Sequence, residues 1–171
     1  KGFELEVTAA PSRGLTMGGS IAYKDTSISN VDPILLRANN GEFVLANRPK
    51  WTASAYGAYE TEPLFGDATL SFRMDGVFRS QYLLSGKPIQ DALLPQNVGV
   101  PYIINIPSHW KLNARVALKH IKIGGAEAEL AFWAKNFTDR KYANSYLYLR
   151  QGSAANYDPA RTFGVELGVE F

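Results

Sequence analysis

A chain of 171 residues, 46% hydrophobic and 20% charged, permits one ordinary domain with a sizeable core. Its 18 Lys and Arg stand against 16 Asp and Glu, and a net charge of +2 is too small to argue for nucleic acid or an acidic substrate as partner. The absence of Cys excludes a disulfide framework and thiolate metal sites, and no apolar run approaches the roughly 18 residues of a spanning helix, whereas a barrel strand needs only about 9 to 11 with one apolar face.

From the first residues onward the side chains alternate. Phe3, Leu5 and Val7 interleave with Glu4, Glu6 and Thr8, which marks a strand and not the apolar core of a signal peptide. A Pro11 to Gly14 turn leads into a second strand over Leu15 to Lys24. Its Gly18-Gly19 pair lacks the following Lys-Ser/Thr and helix of a phosphate loop. After a long connection, Asp25 to Asn47, a third strand runs from Lys50 to Glu60 and turns at Glu62 to Gly66. In Ala68 to Tyr82 the apolar parity (Leu70, Phe72, Met74, Phe78) faces away from Thr69, Ser71, Arg73, Asp75 and Arg79. A second long connection, Leu83 to Ser108, precedes Trp110 to His120, where Trp110, Leu112, Ala114, Val116 and Leu118 oppose Lys111, Asn113, Arg115 and Lys119. The Lys122 to Gly125 turn, a strand over Ala126 to Phe137 and a third long connection, Thr138 to Ala160, follow. In the last strand Phe163, Val165, Leu167, Val169 and Phe171 separate completely from Thr162, Gly164, Glu166, Gly168 and Glu170. A helix would mix these classes on every face.

Seven antiparallel strands with short and long connections in alternation predict an all-β transmembrane barrel, with short periplasmic turns and long extracellular loops. Phe171 then ends a descending strand at the periplasmic side. Tyr23, Trp51, Phe78, Tyr82, Trp110, Tyr142 and Phe163 fall at the long-loop ends, and Tyr59, Phe65 and Phe171 near the other, as two aromatic girdles would. The charged parity must line a polar lumen, since Arg or Lys on the lipid side costs about 2–4 kcal/mol near the midplane. Its density favours a barrel wider than eight strands. The basic row Lys111, Arg115, Lys119 is expected to meet Glu127 and Glu129 on the following strand.

No catalytic centre, metal site or cofactor site is expected. His109 and His120 are eleven residues apart on opposite parities, so they form no two-His site within their strand. Ser108-His109 lacks a nucleophile elbow, and Glu127 with Glu129 reads as a solvated lumen pair with basic neighbours. Asn136-Phe137-Thr138 matches a glycosylation sequon, an accidental match in a bacterial barrel. Ligand contacts should come from the extracellular loops and upper lumen, where Tyr102, His109, Tyr146, Tyr148, Arg150, Asn156 and Tyr157 have the right chemistry.

Two segments carry a resemblance. Lys135-Asn136-Phe137-Thr138-Asp139-Arg140-Lys141-Tyr142 is similar to the Asn-Leu-Phe/Thr-Asp-Lys-Lys-Tyr segment that follows the penultimate strand of TonB-dependent outer-membrane receptors. Pro159-Ala160-Arg161-Thr162-Phe163-Gly164, continuing to Phe171, resembles the family's final strand, with Ala160 inserted and Phe137 in place of the commoner Leu. The resemblance implies a 22-stranded barrel plugged by an N-terminal domain, importing a large nutrient such as a siderophore across the bacterial outer membrane with energy from the TonB system. Residues 1–171 would be its last seven strands, a fragment without plug or TonB-binding segment. Its partners would be outer-membrane lipid, the remaining barrel and plug, the TonB complex through the missing N-terminal part, and the barrel-assembly machinery through Phe171. A passive porin would show the same strand pattern, and a secreted, ligand-binding β-sandwich would be soluble without detergent.

Overall fold

The computed structural model describes residues 1–33, 45–84, 105–149 and 152–171, and of 146–149, 152 and 153 the backbone alone. The chain is all-β. Seven long strands, β1 (Gly2–Ser12), β2 (Leu15–Lys24), β3 (Trp51–Glu60), β4 (Thr69–Arg79), β7 (His109–Ile123), β8 (Ala126–Lys135) and β11 (Thr162–Glu170), form one antiparallel sheet in chain order. Two further pairs, β5 (Tyr82–Leu83) with β6 (Asn105–Ile106) and β9 (Ala143–Leu149) with β10 (Gly152–Tyr157), lie within the long connections. Neither pair follows from the sequence pattern. Tyr82, expected within the fourth strand and its girdle, instead sits in β5 and is buried with Leu84, Ile106 and Ala143. Among the described residues no helix is long and apolar enough to cross a membrane, which says nothing of strands.

The ladder places the alternating residues in register. Tyr59, Phe72, Val116, Phe132 and Val165 form one continuous apolar row across five strands, and Leu70, Leu118, Leu130 and Leu167 form the next. Rows two residues apart lie on the same side of a pleated sheet. No second layer covers them among the described residues: Val165 is 70% exposed, Leu167 69%, Met74 55% and Phe72 41%. The apolar side chains that are buried in the sheet are small, namely Ala117, Ala128 and Ala131. A water-soluble chain seldom leaves so extended an apolar surface open. The sheet is not closed. Its edges are β1 and β11, which run in the same direction because seven strands alternate between them.

One strand departs from strict alternation. Between the Leu118–Leu130 and Ile121–Ala128 pairs, Lys119 and His120 together oppose Glu129, and His120 has a φ of +56°. This β-bulge puts two consecutive side chains toward the charged face and carries β7 on to Ile123. His120, expected on the parity opposite His109, joins the charged side instead: its Nδ1 lies 2.7 Å from Glu127 and its Nε2 3.8 Å from Glu60.

The tight turns use residues that tolerate a left-handed backbone. Gly14 between β1 and β2 has φ +75°, and an added Cβ would run into the Glu60 carbonyl oxygen. Gly14→Ala is therefore expected to lower stability by about 1–2 kcal/mol, read from the urea unfolding midpoint. The same change at Gly57, where a Cβ meets nothing within 4 Å, should be nearly neutral.

Candidate functional site

Two regions hold the polar chemistry. The first is the charged face of the sheet. Arg115 pairs with Glu129 on β8 and lies 3.7 Å from Glu166 on β11. Arg73 sits 3.8 Å from Asp75 and 4.9 Å from the centre of the Tyr56 ring. Asp75 accepts a 2.8 Å bond from the Asn113 amide. Toward the short turns, Glu60 gathers Thr69 (2.8 Å), Lys119 (3.1 Å) and His120. Only one of the expected cross-strand pairings therefore forms as read, Arg115 with Glu129. Lys119 reaches back to β3, Lys111 pairs with Asp158, and Glu127 takes His120. The bulge, and the return of Asp158 beside Lys111, redirect the others. These groups are a quarter exposed or more, Asp158 excepted, so each pair is worth about 0–1 kcal/mol. Among the described residues, no cluster of three or more His, Cys, Asp or Glu could hold a metal ion.

The second region is a clasp at the long-loop end, and it explains the two motifs. Asn136, 7% exposed with φ +48°, leaves β8 in a left-handed step. Its Nδ2 donates to the carbonyls of Arg140 and Pro159, and its Oδ1 accepts from the Arg140 amide, each at 3.0 Å. The Asn136 amide in turn donates to Asn113 Oδ1, also at 3.0 Å. Three residues on, Asp139 Oδ1 accepts the Arg161 amide at 3.0 Å while Arg161 reaches the Phe137 carbonyl. The two segments singled out by likeness to a family are thus bound to each other, across the excursion that holds β9 and β10.

The backbone amide of Arg161, then the ammonium of Lys141 at 3.1 Å, hold the Asp139 carboxyl below its ordinary range. A depressed carboxylate stabilises the folded state above its unfolded pKa of about 4 and loses that contribution as pH falls through the folded value. Limited proteolysis of the 138–160 segment should accelerate as pH drops below about 4, and Asp139→Asn should remove that dependence.

Of the expected ligand residues that are described, four share the β9–β10 pair and His109 stands apart at the start of β7. His109 opens β7 but is only 6% exposed; its ring lies tilted against Tyr142 at 4.3 Å between centroids, and Nδ1 lies 2.8 Å from the Pro107 carbonyl. Tyr146 and Tyr148 stand opposite Ala155 and Ser153 in the β9–β10 ladder. Asn156 and Tyr157 are exposed on β10. Tyr102 and Arg150 lie outside the described residues. The aromatic rings do group: Trp51 is 4.8 Å from Tyr23 and 5.7 Å from Phe3, Phe78 is 5.4 Å from Trp110, and Phe163 is 6.5 Å from Phe132. Phe171 is fully exposed beyond the end of β11. Sequence reasoning missed Asn136 as an organiser, although a polar residue between a strand and a turn-rich segment is the available signal. No protein-family model matches the chain, and no curated protein matches it significantly.

Proposed function

We propose that the chain is the C-terminal part of an outer-membrane β-barrel receptor of the TonB-dependent kind, taking part in uptake of a large nutrient such as a siderophore. The observation that carries this reading is the open apolar face, uninterrupted across all seven long strands and backed by a face of ion pairs. Hydrocarbon outside and water inside satisfy both faces at once. The alternating short and long connections and the bands of rings near the long-loop ends agree with that placement.

Two open edges running in the same direction call for an odd number of further strands to complete an antiparallel barrel. The rest of the barrel and its plug would supply them, the plug side would engage the TonB complex, and Phe171 would present the terminal ring to the assembly machinery. A soluble sandwich fits less well, because all seven long strands belong to one sheet. Fractionation tests the placement: the protein should sediment with outer membrane, and protease added to intact cells should cut within residues 25–47. Recovery as a detergent-free soluble monomer, or cleavage at residues 122–125 instead, overturns it. Uptake that persists without TonB overturns the coupling and leaves a passive pore.

A further inference from the structure

We propose that the apolar face carries a discrete site for one lipid with a phosphorylated headgroup, its acyl chain lying across β3, β4 and β7 and its phosphate on Arg140. This deepens the membrane reading above and rests on it. A groove of about 640 Å³ crosses these strands, floored by Ala55, Gly57, Met74, Gly76 and Leu112. Phe78 and Trp110 flank it near the long loops, and Thr138, Arg140 and Tyr142 line the same groove, as does Asp75, whose carboxylate belongs to the charged face and takes the Asn113 amide. The rows from Phe78 to Met74 span about 14 Å along the strand. An apolar channel of that length with a cation at its rim matches an amphiphile with an anionic head, and not a free anion.

Arg140 is suited to the task. Its backbone amide and carbonyl are both fixed by the Asn136 side chain, so the stem of the side chain is held at its base. The residue is exposed, and its guanidinium pairs with no carboxylate among the described residues, whereas the adjacent Lys141 is held by Asp139. A guanidinium offers a phosphate two parallel hydrogen bonds, and at the border of hydrocarbon these strengthen. Gly57 leaves the groove floor open, since a Cβ there meets nothing within 4 Å.

Native mass spectrometry of the detergent-extracted natural protein tests this, titrated with phosphatidic acid or with diacylglycerol of the same chains. One phosphatidic acid should be retained, diacylglycerol about tenfold less tightly, and inorganic phosphate should not compete. Arg140→Ala, which keeps both backbone bonds, should lose about tenfold for phosphatidic acid alone, and Arg140→Lys should recover part of it. Gly57→Leu should weaken both lipids by filling the channel. Equal retention of the two lipids by the parent protein, or no change in Arg140→Ala and Gly57→Leu, overturns the site. Recovery of the natural protein in the detergent-free soluble fraction, with none in membranes, overturns the underlying membrane reading instead.

Discussion

Met74→Arg is expected to destabilise the protein in phospholipid vesicles by about 2–4 kcal/mol, the largest effect of any single surface change here. Met74 lies midway along β4, opposite Gly57 and Ala114, on the apolar side, and is 55% exposed. Were that face wetted, replacing so exposed a side chain with a cation would change stability by about 0.5 kcal/mol or less. The neighbouring position makes the contrast sharp. Arg73 already carries a guanidinium one residue away, on the other face, against Asp75 and the Tyr56 ring. Urea titration of vesicle-reconstituted protein, with Met74→Leu as the volume control, separates the outcomes. Equal midpoints for Arg and Leu would remove the hydrocarbon-facing assignment.

Asn136→Ala should cost on the order of 3 kcal/mol, because it strips partners from three backbone groups and leaves an alanine in a left-handed conformation. Net hydrogen-bond contributions of about 1 kcal/mol each would account for much of it, and the part-buried carbonyls left without a partner add to the loss. The damage should be local before it is global. Backbone amides of residues 140 and 161 should lose hydrogen-exchange protection ahead of those in β3 and β4. Asn136→Asp retains the acceptor for the Arg140 amide but loses both donated bonds, so it should fall between the two. A variant with Ala at 136 that protects residue 161 as the parent does would mean the two segments are tied together by other contacts.

The long strands were legible because apolar and polar side chains sort by parity, a signal that survives without any knowledge of neighbours. Thr162 to Phe171 is the plainest case, and the β11 ladder runs unbroken from Thr162 to Glu170. The short pairs were not legible. In β9, Ala143-Asn144-Ser145-Tyr146-Leu147-Tyr148-Leu149 mixes polar and apolar residues on each parity, and β5 and β6 are two residues long. The partners of Lys111 and Lys119 were misjudged for a different reason. Alternation fixes which side a charge faces, but Lys111 meets Asp158 through a chain excursion, and Lys119 meets Glu60 on a strand two places away in the sheet. Likewise the motif around Asn136 stood out by likeness alone, and its physical role depends on Pro159 and Arg161 returning to it.

The irregularity at His120 has a meaning for how such a strand can vary. Strike that one residue out and Leu118, Ile121 and Ile123 alternate with Lys119 and Lys122 without interruption. His120 is in effect a supernumerary letter, pushed to the charged side so that the apolar contour passes it unaltered. Changes of length in this sheet are absorbed on its charged face, and the apolar face keeps its spelling.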